Sequence, residues 1–260
     1  MTAQPAQLQT PPVQEERKLL APVWHTLLII FVLLANSAGT AWLSSKATSS
    51  HIVNITDKAR IAQYAFTMAF EFCLLFLVWL GLRLRKTKIS DLLGGRWNSP
   101  EAFLIDVCIA LGYWVLAFAV LIGLGVVLGL NKGTQAEEAK KLIEALAPHS
   151  LRALGVFVML STVAGFVEEI IFRGYLQRQF AALTGSVYVA IALQAVVFGA
   201  GHGYEGTRRM ILIFVYGIMF GLLALWRKSL LPGMLAHAWH DSFEGAVLFF
   251  VARHGLPSMP

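Results

Sequence analysis

Long apolar runs alternate with short polar connectors along this chain, and the runs fall at residues 23–43, 61–82, 102–130, 151–175, 186–201, 210–226 and 230–251. Most of them approach or exceed the ~20 apolar residues an α-helix needs to cross a bilayer. The pattern predicts an all-α, polytopic transmembrane helix bundle of about seven spans. A short or re-entrant segment around 174–183 or 201–209 would make eight, because irregular backbone is tolerated in a membrane where it lines a cavity. Residues 1–18 hold Pro5, Pro11, Pro12 and four glutamines without apolar periodicity, which predicts a disordered tail. The first apolar run is too long, and starts too late, for the core of a cleaved signal, so it reads as an anchor that stays. The expected layout is the tail 1–18, three accessory helices and their connectors over 19–150, a core over 151–252, and a short tail 253–260. The charged patch 137–141 reads as a solvated helical face.

Composition sharpens this picture. Hydrophobic residues make up 57% of the chain and charged ones 14%, and the mean hydropathy is +0.65, far from the average of a soluble domain. The 21 Lys and Arg outnumber the 15 Asp and Glu, but the basic residues mostly flank apolar runs, so no nucleic-acid partner is expected. Arg83, Arg85, Lys86, Lys88 and Arg96 outnumber Asp91 and Glu101 between the second and third runs. The positive-inside rule puts that connector, and with it the N-terminus, in the cytoplasm. Cys73 and Cys108 lie inside apolar runs and outside any CxxC or Cys/His cluster, so neither a zinc site nor a disulfide is supported. They are expected to be buried small hydrophobes. Gly185 reads as a helix stop, and the pairs Gly125/Gly129 and Gly217/Gly221 as sites of close helix packing.

Candidate chemistry sits where charge interrupts these runs. Thr162 to Tyr175 reads TVAGFVEEIIFRGY. Charges there are costly in hydrocarbon unless they are paired or functional. Glu169 and Arg173 are four apart and can pair on one helix face, whereas Glu168 lies about 100° round the axis and stays available. Glu71 interrupts the second run and is either a partner for a histidine elsewhere or a protonated or hydrogen-bonded packing residue. Phe198 to Gly206 reads FGAGHGYEG, with Phe198 one helical turn before His202 on the same face. In the last run His237, His240, Asp241 and Glu244 form one polar stripe, which must face a wet cavity or other polar helices.

The ordered set Glu168-Glu169-x-x-x-Arg173, Phe198-x-x-x-His202 and His237-x-x-x-Asp241 resembles the signature of the CAAX protease and bacteriocin-processing family. That family, also called Abi, includes the type II CAAX prenyl endopeptidases. The resemblance covers roughly residues 151–251. It implies an intramembrane glutamic endopeptidase without cofactor or metal, acting on a peptide or lipidated-protein substrate among membrane lipids, in a prokaryotic cytoplasmic membrane. Hydrolysis without a covalent intermediate needs a base for water, donors for the oxyanion and a proton for the leaving amine. Glu168 would be the base, His202 would hold the same water, and Glu169 with Arg173 would fix the first carboxylate. By analogy with the family, His237 and Asp241 would supply the oxyanion donors, while Phe172 and Phe198 are expected to contact substrate. The family commonly has Asn where this chain has Asp241. A carboxyl donates only when protonated, so Asp241 is either protonated or ionised and holding His237 as imidazolium.

One geometric difficulty follows from simple alternation of spans, which puts Glu168 near the inner end of the fourth and His202 near the outer end of the fifth. Convergence then requires a mid-membrane site or a broken fifth helix. Two other readings stand beside the peptidase. A metal peptidase would use Glu168, His202 and His237 as ligands, although HExxH spacing is absent. A transporter, proton relay or immunity-type protein would use the same buried groups as an ion path. If cleavage of a peptide substrate by purified protein is found, the glutamic reading expects it to persist in excess chelator; loss on chelation and return with added zinc would favour the metal reading.

Overall fold

A computed structural model describes residues 18–49, 56–130, 132–133 and 145–254. The expected tail up to residue 17, the patch 137–141 and residues 255–260 lie outside the described residues. Within them the regular structure is helical: α1 (Val23–Ser49), α2 (Asp57–Leu84), the short α3 (Ser90–Leu93) and α4 (Pro100–Val127). Then come α5 (Leu151–Thr184), α6 (Val187–Gly201), a 3-10 turn (Gly203–Glu205), α7 (Thr207–Arg227) and α8 (Leu231–His254). Hydroxyl caps start four of them: the side chains of Thr56, Ser99, Ser150 and Ser186 accept from the N–H groups of Ala59, Ala102, Ala153 and Val189. Each satisfies a donor that the first helical turn leaves without a partner.

Five helices, α1, α2, α4, α5 and α7, are long and apolar enough to cross a membrane. The apolar α6 has 15 residues, about 22 Å of helix against the ~30 Å of a hydrocarbon core. The 24 residues of α8 carry the polar stripe and fall outside that set. Large apolar side chains cover the outside of the bundle, among them Phe31, Phe66 and Trp226. Cys73 and Cys108 are exposed there too, contrary to the expectation of burial. In a membrane bundle the apolar positions of a run divide between the packed interior and the lipid face, and hydropathy does not tell them apart.

The mixed segment 177–185 is no connector but the last turns of α5. Its polar side chains have buried partners: Gln179 accepts from Leu20 N–H and donates to Ala21 C=O, and Gln177 donates to Gly221 C=O. Gly185, at φ 78°, ends the helix as expected, and its N–H bonds Ala181 C=O. Upstream, Glu169–Leu176 is wound as a π-helix, so that Gln177 N–H reaches Phe172 C=O, five residues back. Such widened turns appear frequently at functional sites.

Close approach of backbones holds α5 at the centre. A Cβ on Gly165 would lie 2.5 Å from Ala238 N, so α5 and α8 cross in contact there. Gly217 meets Ala195 and Gly221 meets Gln177, Gln194 and Ile191 in the same way, which bears out the expected packing of that pair. Gly129 has a different use: at φ 67° its N–H bonds Val126 C=O just beyond α4, and it helps to end that helix. Beside α5, α2 runs in the same direction and in step, with Asp57 against Ser150 at 2.8 Å and Tyr64 edge-on to Phe157 at 5.2 Å. The connector holding α3 folds onto the end of α5, where Arg178 donates to Asp91 C=O and Leu92 C=O. Gly165→Val is expected to lower stability by about 1–3 kcal/mol or more through overpacking, seen as a lower unfolding temperature in detergent. Gly155→Val, on the same helix with open space around it, should change that temperature little.

Candidate functional site

The crossing of α5 and α8 at Gly165 and Ala238 sets the site, because it brings His237 against the start of the π-helical turns. Glu169 Oε1 accepts from Arg173 Nη1 at 2.8 Å and from His237 Nδ1 at 3.0 Å. All three side chains are buried. The pairing of Glu169 with Arg173 is the one their spacing predicts; the imidazole as second donor is new. Gly233 makes room for it, since a Cβ there would lie 3.3 Å from Glu169 Oε2. The Arg173 guanidinium also donates to Gly217 C=O at 3.4 Å. It sits over the rings of Phe198 and Phe220, 4.7 and 5.5 Å from their centroids. A cation enclosed by rings and a carboxylate keeps its charge without water.

His237 is the hub. A carboxylate accepts, so its Nδ1 donates to Glu169, and Nε2 points the other way. There it meets two more acids, Glu168 Oε2 at 3.6 Å and Asp241 Oδ2 at 3.7 Å. These are ion-pair separations, longer than hydrogen bonds and of the size a bridging water spans. The side chains of Glu168 and Asp241 keep 13% and 30% exposure against 1% for Glu169, so one acid of the EE pair is sealed and the other accessible.

His202 caps the C-terminus of the short α6, and its Nδ1 donates to Phe198 C=O at 2.9 Å. In the neutral ring that bond leaves Nε2 as the acceptor. The His202 ring packs 4.9 Å from the Phe198 ring, which in turn lies 6.2 Å from the His237 ring. The structure thus brings Glu168, Glu169, Arg173, His237 and Asp241 into direct contact and sets His202 one ring away, within electrostatic reach of Asp241. The short α6 is followed directly by the 3-10 turn at residues 203–205, and this end of α6 holds His202 on the side of Asp241. Phe172 and Phe198 are both buried, ring against ring at 4.7 Å.

Two contributors escaped sequence reasoning, and for a third the structure decides between two readings. The Tyr216 ring lies 5.3 Å from His237 and 5.1 Å from His240, and its buried hydroxyl makes no hydrogen bond. Its only signal was a phenol in an otherwise apolar run. Phe220 carries no polar atom and gave no signal. Glu71 has no histidine partner among the described residues: its buried Oε2 is unbonded, and the charges in its reach there are Glu168 and Asp241. Among the described residues no group of three or more His, Cys, Asp and Glu side chains is placed to hold a metal ion.

Fold and site together define an α-helical membrane protein with a buried acid–imidazole cluster at a helix crossing. Residues 150–243 match the family described as type II CAAX prenyl endopeptidase, Rce1-like. The family resemblance carried by the three motifs therefore holds on the helices that build the site. This is a peptidase family of membrane proteins, and the matched segment runs from the cap of α5 to just past Asp241. No curated protein and no solved structure matches the chain.

Arg173→Met leaves Glu169 buried with one donor fewer and is expected to cost about 3–5 kcal/mol of stability. Thermal unfolding in detergent should show Glu169→Gln/Arg173→Met to be less damaging than Arg173→Met alone, since the double variant buries no unmatched charge.

Proposed function

We propose that the chain is an intramembrane endopeptidase that hydrolyses a peptide bond of a membrane-associated substrate with water activated by Glu168. The observation that carries this reading is the division of labour within the EE pair: Glu169 is locked between Arg173 and His237, while Glu168 faces His237 Nε2 at 3.6 Å and stays accessible. A carboxylate next to a fixed imidazole, partly withdrawn from water, has the properties of a general base. Glu168 takes a proton from water as its oxygen bonds to the scissile carbon. His237 Nε2, on the same side, donates to the developing oxyanion, and fixed donors of this kind supply much of the rate of acyl-transfer chemistry. Asp241 at 3.7 Å holds that imidazole in its donating form. His202, with Nε2 free to accept, orients the water, takes the proton on from Glu168 and delivers it to the leaving amine.

Phe172 and Phe198 form the floor under this cluster rather than an open face, so substrate would meet them only beyond His202 and Glu168. The substrate is a peptide or lipidated protein lying in or on the membrane, of the CAAX-processing or bacteriocin-processing kind. The basic connector around α3 and the N-terminus lie on the cytoplasmic side, and α6 and α8 complete about seven crossings around the acid–imidazole cluster.

Glu168→Gln is expected to lower kcat for a cleaved membrane peptide by about 10²–10⁴-fold, the range for loss of a general base, with folding unchanged. The decisive measurement compares membrane peptides by mass spectrometry between cells carrying the active protein and cells carrying Glu168→Gln. Products common to both would remove Glu168 as the base. Proton-coupled flux by purified protein without any hydrolysis would turn the reading to transport.

A further inference from the structure

Glu71 is a carboxyl that the reaction above leaves unused, and it stands out from the other acids by its surroundings. It belongs to α2, outside the matched segment 150–243. The register of α2 on α5 brings it to the site: Asp57 meets Ser150 and Tyr64 meets Phe157. The two helices run in step, so seven residues further along α2 the same face carries Glu71 to the turn of α5 that ends in Glu168. Glu71 is 7% exposed and its Oε2 has no hydrogen-bond partner. The groups facing it from the packed elements are Glu168 on α5, Asp241 on α8 and Tyr204 on the 3-10 turn. From α1, His25 is bonded elsewhere, to Tyr175 Oη and Leu77 C=O. Among the described residues no cation pairs with Glu71, while Arg173 and His237 already answer Glu169.

Two carboxylates facing each other, one of them buried, do not readily both stay ionised; such a pair keeps one proton between them. We propose that Glu71 is a positioning residue that holds this shared proton, donating it as a hydrogen bond to Glu168 and aiming the ionised oxygen of Glu168 at the hydrolytic water. Glu71 keeps its proton through the reaction: the proton from water goes to Glu168 and on through His202 to the leaving amine, while the water oxygen bonds to the scissile carbon and the C–N bond breaks. This rests on the peptidase reading for its purpose, but the shared proton itself does not.

Infrared spectroscopy of the purified full chain in detergent at neutral pH tests the proton directly. The spectrum of the unaltered protein minus that of Glu71→Gln should contain the C=O stretch of a protonated carboxyl, and Glu168→Gln should shift that band. A band untouched by Glu71→Gln overturns the proposal, and so does one that Glu71→Gln removes but Glu168→Gln leaves in place. On a cleaved peptide, Glu71→Gln, which retains a donor, should keep a kcat at least about tenfold above Glu71→Leu, with KM similar in both. Equal loss in the two overturns the positioning role. Where Glu71→Leu does not fold, the infrared comparison stands on the Gln variants alone. A protein that shows the band and its shift but cleaves nothing would overturn the peptidase reading and leave the shared proton supported.

Discussion

An arginine sealed inside a membrane bundle is the constraint from which the rest of this structure follows. The guanidinium of Arg173 has no water to serve it, and in that setting a bare charge would be prohibitively expensive. Glu169 answers it from one turn below, Gly217 C=O from α7, and the faces of Phe198 and Phe220 from α6 and α7. His237 then joins the same carboxylate from α8. One buried charge thus ties α5, α6, α7 and α8 together through contacts that hold in one register only. Sliding α6, α7 or α8 by a turn would keep the Glu169–Arg173 pair within α5 but strip it of its ring, carbonyl or imidazole partner.

Small residues make that arrangement reachable. Contact between helices in lipid comes from packing rather than from the hydrophobic effect, and Gly165 against Ala238 brings the backbones of α5 and α8 together just below the EE pair. The π-helical winding begins at Glu169 and continues through Leu176. It widens the helix where side chains must spread to several neighbours, so Glu169 turns to His237 and Arg173 while Glu168 keeps another direction. The same helix therefore holds a sealed acid and an accessible one side by side. That asymmetry is the physical basis for assigning them different work.

The three motifs and the matched segment lie in the second part of the chain, yet the site is not built from that part alone. Helix α2 lies along α5, and the connector bearing α3 is clamped on the end of α5 by Arg178 and on the start of α8 by the bond from Leu230 N–H to Leu93 C=O. Asp106 of α4 pairs with Arg227 of α7 at 3.0 Å and accepts from Trp97. The helices described at first as accessory brace the core, and through Glu71 one of them reaches the acids of the site.

Much of this protein was legible in its sequence for a plain reason: in a membrane, backbone satisfaction forces helices, and charge inside apolar runs stands out. The apolar runs, the stop at Gly185, the Glu169–Arg173 pair and the candidate acids and imidazoles could all be read from spacing. Tertiary structure decided which side of each helix met which neighbour. Whether Cys73 faced lipid or protein, whether Gly129 packed or capped, and whether 177–184 was loop or helix depended on partners far away in the chain. Glu71 shows the limit most clearly, because its neighbours Glu168 and Asp241 are set by the register of α2 on α5 and the crossing of α5 with α8, and no local pattern in a single chain encodes where two helices touch.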